Sequence, residues 1–208
     1  MTGLRRVDRD LTSLTVLALL LTGPRHTYEM HRMVLATHKD FVTGLPRSLY
    51  HAVDRLLRDE LIRVQETTKD SGRPERTVYT LTEAGREALH TRVRRLLAHP
   101  DPDATLFVAA LSFVAALSAD EAVAALRTRG EALARLVADI DAGVASAPAS
   151  LPRLLLVESK YERTRLDAER RFVARLVEDM EAGRLAWPDH VAAADLLPDL
   201  EGGRWTDP

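Results

Sequence analysis

Residues 46–81 read PRSLYHAVDRLLRDELIRVQETTKDSGRPERTVYTL, and the change of period within them decides the fold. Up to residue 60 the spacing is helical. At about 100° per residue, Leu49, Val53, Leu56 and Leu57 gather on one side. Arg47, His51, Arg55 and Arg58 fall on the other, with Asp54 among them. Pro46 suits the first turn, where its missing N–H would have had no intrahelical partner. After Leu61 the pattern alternates. Ile62 and Val64 open one strand and Thr77-Val78-Tyr79-Thr80-Leu81 forms the return, around Lys69-Asp70-Ser71-Gly72-Arg73-Pro74. This is a hairpin with a basic tip.

Upstream, residues 11–21 form a helix with Leu14, Leu17 and Leu21 on one face, widened by Val16 and Leu20, and Gly23-Pro24 ends it. Thr27 is placed to cap a second helix carrying Tyr28, Met30 and Val34. Downstream, Thr82 caps a helix through Leu97, and His99-Pro100-Asp101-Pro102 breaks the chain. Helix, helix, basic-faced helix and hairpin is the order of a winged helix-turn-helix, in which the third helix enters the major groove and the wing touches the backbone. On that reading Arg47, Arg55 and Arg58 reach phosphates or guanine edges, Ser48 and Tyr50 donate to phosphates, and His51 sits near the centre of the outward face. Lys69, Arg73 and Arg76 put the wing on the backbone. The bland alternative is a solvated charged face, against which the hairpin that directly follows weighs.

Beyond residue 100 the pattern is wholly helical. The run 105–119 is apolar but only about 15 residues long, short of the roughly 20 that span a bilayer, and reads as a buried helix. Ser118-Ala119-Asp120-Glu121 is a capping box. The helix it opens carries Val123, Leu126, Gly130, Leu133, Val137 and Ile140 at 3-4-3-4-3 spacing, a coiled-coil seam interrupted by the glycine. After a break at 143–152, a long helix to about residue 181 has two apolar faces, one with Tyr161, Ala168, Phe172 and Leu176, the other with Leu166, Val173, Val177 and Met180. Two faces call for two neighbours, one of which can be a second chain. The expected dimerisation residues are therefore Val123, Leu126, Leu133, Val137, Ile140, Phe172, Leu176 and Met180.

The fold class is thus mainly α: a winged helix-turn-helix with a two-stranded wing over 1–99, an all-helical dimerisation domain over 100–187, and a tail over 188–208. Charge follows the same division. The net charge of -2 conceals an N-terminal stretch 1–99 with 17 Lys and Arg against 12 Asp and Glu, a formal +5, and a remainder of -7. Six of seven histidines lie in the basic half. Such asymmetry suits a polyanion on one side only. The chain has no cysteine, which excludes disulfides, thiol nucleophiles and thiolate metal sites. No HExxH, GxSxG, Walker A loop or GxGxxG occurs, so an enzyme is not expected, and neither a cofactor nor a metal. No export signal follows the arginines of the first ten residues, and the expected location is the cytoplasm.

The stretches LALLLTGPRHTYEM at 17–30, SLY at 48–50, DELI at 59–62 and GRPERTVYTLTEAG at 72–85 resemble the PadR family of transcriptional regulators. The resemblance is detailed over residues 10–90 and looser over the C-terminal helices. It implies a dimeric repressor released from its operator by a small molecule or another signal, and the symmetry of a homodimer in turn predicts an inverted-repeat operator in double-stranded DNA. There are two departures: His26-Thr27-Tyr28 where the family usually has His-Gly-Tyr, and Arg47-Ser48-Leu49-Tyr50-His51 where it often has Gly-Thr-Leu-Tyr-Pro, the latter putting Arg47 and His51 at or beside the DNA face. For an effector, Phe107, Leu111 and Val114 offer an apolar lining beside the winged domain, and Trp187 and Trp205 could stack on a planar ligand. The alternative reading is a helical adaptor whose winged domain does not read DNA; the basic helix face argues against it.

Overall fold

The computed structural model describes residues 3–68 and 76–187, with the side chains of Thr68 and Arg76 left out. Helix α1 (Leu11–Leu21) starts at Asp10, whose carboxylate accepts from Ser13 N at 3.1 Å. A short strand β1 (Arg25–His26) leads into α2 (Thr27–Ala36). The cap of α2 is His26 rather than Thr27. Its Nδ1 accepts from Tyr28 N at 3.1 Å while Glu29 accepts from His26 N at 2.9 Å, and Thr27 is buried in the first turn. Helix α3 (Arg47–Arg58) follows, then β2 (Ile62–Thr68) and β3 (Arg76–Leu81).

The turn from α3 into the wing is a Schellman closure: Leu61 N bonds to Leu56 O and Glu60 N to Leu57 O. It requires the left-handed region at Glu60, where φ is +56° on a residue with a Cβ. The sheet has three antiparallel strands in the order β1-β3-β2, one more than the alternation predicts. Arg25 pairs with Tyr79 and His26 with Val78, so β1 covers an edge of the wing that the sequence leaves open.

Helix α4 (Glu83–Ala98) begins at Thr82, whose Oγ1 accepts from Gly85 N and lies 2.8 Å from Glu60 O and 3.0 Å from Leu61 O. The helix therefore grows directly out of the wing base. Gly85 makes that close seat possible: a Cβ there would lie 1.9 Å from Leu61 O. The apolar run expected as one helix over 105–119 is α5 (Ala104–Ser112) followed by a 3-10 turn at Val114–Ala116. Then come α6 (Ala119–Ala145), opened by the Ser118 and Glu121 capping box, a 3-10 turn at Arg153–Leu156, and α7 (Val157–Glu181).

Helices α6 and α7 form a hairpin packed on α4. Gly130 lies where they meet, with Val173 Cγ1 3.9 Å from the position its Cβ would take. One hydrophobic core runs without a break from Leu14 and Leu17 through Leu96, Leu97 and Phe107 to Leu133 and Val173. No sharp core boundary falls near residue 99, because the second half of α4 is shared by both parts. Among the described residues, no helix is long and apolar enough to cross a membrane.

Candidate nucleic-acid interface

The sequence splits α3 into two faces, and packing uses one of them. Leu49, Ala52, Val53 and Leu56 are buried against α1 and its neighbours. Arg47, Tyr50, His51, Asp54 and Arg58 are exposed, Tyr50 at 51%. Cations and ring donors on one helical ridge can meet phosphate oxygens and base edges together.

Two of the expected contact residues are only partly exposed. Arg55 Nη2 donates to Asp10 Oδ2 at 3.0 Å and to Ser13 Oγ at 3.3 Å, which ties α3 to the start of α1. Burial opposes ionisation of Asp10, yet the Ser13 hydrogen bonds, with Arg55 and Arg92 nearby, hold its pKa below the ordinary value. The Oγ of Ser48 is enclosed without a hydrogen-bond partner. Arg58 bonds back to Asp54 O at 3.3 Å and stays at the surface. Lys69 and Arg73 lie outside the described residues; Arg76 opens β3, its side chain undescribed. Tyr28, exposed at the start of α2, adds a phenol to the head's surface that the sequence reading did not assign to DNA.

In the C-terminal part, Leu126 and Leu133 are fully enclosed within the single chain, and Val123, Val137 and Ile140 are partly buried against its core. The seam is spent largely on the intrachain hairpin. On α7, Val173 and Val177 face inward and Leu176 and Met180 are partly covered, while Phe172 is 43% and Tyr161 69% exposed. Leu154, Leu155 and Val157, just before and at the start of α7, are also in solvent.

Phe107 is buried, with the Arg129 guanidinium 3.7 Å above its ring and Phe172 edge-on to it. Leu111 and Val114 are partly covered. Trp187 donates from Nε1 to Leu117 O at 3.0 Å and packs on the core, which accounts for it as a seal. Trp205 lies outside the described residues. The sequence reading missed Arg129 altogether. It stands three residues after Leu126 and four before Leu133, so its place on the apolar face of α6 was legible. Among the described residues no group of three or more His, Asp and Glu side chains could hold a metal ion.

Compared with known families, residues 16–91 match the transcriptional regulator PadR-like family. The reading head is PadR-like. The match runs from the middle of α1 to the middle of α4 and includes the exposed ridge of α3, and the family it names is one of transcriptional regulators. Among solved structures, PadR of Bacillus subtilis in complex with operator DNA is 20% identical, over 82% of this chain and 97% of that one, with a TM-score of 0.40. The same protein in complex with p-coumaric acid is 19% identical over 82% and 99%, with a TM-score of 0.37. The protein smu.1604c of Streptococcus mutans is 18% identical over 80% and 98%, also at 0.37. Likenesses this low carry no argument, and the PadR-like match over the head stands by itself. No curated protein matches the chain.

Proposed function

We propose that this chain is a cytoplasmic, homodimeric repressor that seats α3 in the major groove of an inverted-repeat operator and leaves it when a small molecule binds. The observation that carries the reading is the ridge of Arg47, Tyr50, His51 and Arg58 standing clear of a fully packed helix, followed at once by the wing. The basic charge of residues 1–99 supports it. In this reading residues 1–99 are the head, 100–187 the dimerising part and 188–208 a tail.

A second chain has a surface to meet. Leu154, Leu155, Val157, Tyr161 and Phe172 form more exposed apolar area than a solitary helical hairpin needs, and pairing with the same surface of another copy would cover it. Release by a ligand rests on the resemblance of residues 16–91 to the PadR-like family, and Leu111 and Val114, partly covered where they pack on the core, are the residues here proposed to line such a site.

The test is binding to genomic fragments selected by the protein itself, with Arg47→Ala and His51→Ala compared on matched and mismatched sites. Loss of about 1–3 kcal/mol confined to the matched sites is expected. Equal loss on all sequences would remove base reading from α3.

A further inference from the structure

Arg129 is, with Asp8, the most deeply buried charged residue among the described residues, at 1% exposure, and nothing in the proposed function uses it. It sits mid-way along α6 and reaches across to the end of α4. Its Nη1 donates to Leu96 O at 3.1 Å, Leu97 O at 3.3 Å and His99 O at 2.9 Å. The last carbonyls of a helix have no intrahelical donor, and its C-terminus carries partial negative charge. A guanidinium there satisfies both, and here it comes from a different helix.

The remaining edges of the group are fixed as well. Nε donates to Glu169 Oε1 of α7 at 2.6 Å, and the plane stacks on Phe107 of α5. One rigid fork therefore joins α4, α5, α6 and α7. Other ties between the two parts are more exposed or less directional. Arg9 to Asp101 is a bridge whose arginine is about half exposed, His90 of α4 meets Glu121 of α6 at 3.0 Å with both side chains partly exposed, and Phe41 meets Phe113 edge to face at 5.9 Å with Lys39 over the same ring. At its other end α4 is bonded to the wing base through Thr82. Whatever fixes the C-terminal end of α4 thus fixes the direction of the head.

We propose that Arg129 is a positioning residue that sets the angle between the reading head and the α6–α7 hairpin, and through it the half-site spacing a dimer accepts. The second part rests on the proposed function; the first does not. Buried ion pairs often add little net stability against an apolar replacement, and several of those studied serve to select one geometry. Arg129 fits that use, because methionine could fill its volume but could not hold three carbonyls.

The absence of native cysteine permits a direct measurement on the full-length chain. Asp59→Cys, at the end of α3, and Ala174→Cys, on the outer face of α7, are exposed and take spin labels. With labelled chains diluted into unlabelled protein, the distance between them reports the angle within one chain. A single narrow distribution is expected in the parent and a shifted or broadened one in Arg129→Met, with Arg129→Lys recovering it only in part. An unchanged distribution in a variant that melts at a lower temperature would make Arg129 a stability residue only and overturn the proposal. Should Arg129→Met fail to fold, Glu169→Gln, which removes one edge of the fork, gives the same reading.

A second arm presents the protein with its selected half-site in inverted pairs of varied spacing. The parent should prefer one spacing by about tenfold or more, and Arg129→Met should lose most of that preference while binding a lone half-site as before. No preference in the parent contradicts the dimeric reading and leaves the angle measurement standing. A preference retained by Arg129→Met at a changed angle contradicts the link from angle to spacing.

Discussion

Replacing Gly85 by alanine should damage the protein out of proportion to one methyl group. Gly85 is helical, so the reason lies in space and not in backbone freedom. Its Cβ would stand 1.9 Å from Leu61 O, 2.9 Å from Leu61 C and 3.1 Å from Leu81 Cδ2. Two of these are main-chain atoms of the wing base, and neither can turn aside. Restoring an ordinary C···O separation of about 3.3 Å requires α4 to retreat by well over about 1 Å. That movement breaks the bonds from Thr82 N and Oγ1 to Leu61 O and from Oγ1 to Glu60 O. The Thr82 amide and its single hydroxyl proton, shared between two carbonyls, are two donors lost at about 1 kcal/mol each, which with about 1–3 kcal/mol of overpacking gives a cost of about 3–5 kcal/mol. For a chain of this size each kcal/mol lowers the melting temperature by about 2–4 °C, so calorimetry should show a fall of about 6–20 °C. DNA affinity should fall too, because the wing and the rod that carries it move together. A Gly85→Ala protein melting within about 2 °C of its parent would refute the seating of α4 on the wing base.

Gly130→Ala should do the opposite: its Cβ would meet Val173 Cγ1 at 3.9 Å, an ordinary contact, and the gain in helix propensity of about 0.5–1 kcal/mol should raise the melting temperature. The Ser118 hydrogen bonds, then His90, hold the Glu121 carboxyl down at about 2, below the usual 4.5. A depressed carboxylate stabilises above its unfolded pKa and loses that contribution as pH falls through the folded one. Between pH 4.5 and 2 the parent should therefore lose stability more steeply than Glu121→Gln, by under about 1 kcal/mol at this exposed site, and parallel pH profiles would contradict it. Leu155→Glu with Tyr161→Glu should give a folded monomer with an unchanged circular dichroism spectrum, whereas sedimentation as a dimer would place the interface elsewhere. Affinity for DNA should drop by about 10³ to 10⁵ between 50 and 200 mM salt if a dimer neutralises about 6–10 phosphates; a flat titration would exclude the phosphate footprint.

Local rules made much of the fold legible. Asp10, Thr82 and Ser118 are caps of the kind that mark a helix start, and the shift from helical to alternating period located the wing. His26 was missed because a histidine is a rarer cap than the threonine beside it, although its Nδ1 accepts just as well. Strand β1 has two residues, too few for any alternation to show. Periodicity set the seam of α6 but not its partner: Leu126 and Leu133 would repeat at the same spacing whether they met α7 of their own chain or a second copy. In the site, the exposed ridge of α3 followed from the helical wheel alone. The pairing of Arg55 did not, since its partner Asp10 is 45 residues away in the chain.

The central claim, that α3 reads an inverted repeat for a dimer, is tested most directly by footprinting the purified protein on genomic fragments it has itself selected. Two protected half-sites related by a dyad are expected, their centres about one helical turn or a multiple of it apart, with Arg47→Ala abolishing protection of both at concentrations where the parent is saturated. Protection without symmetry, or symmetric protection that Arg47→Ala, His51→Ala and Arg58→Ala all leave intact, would contradict it.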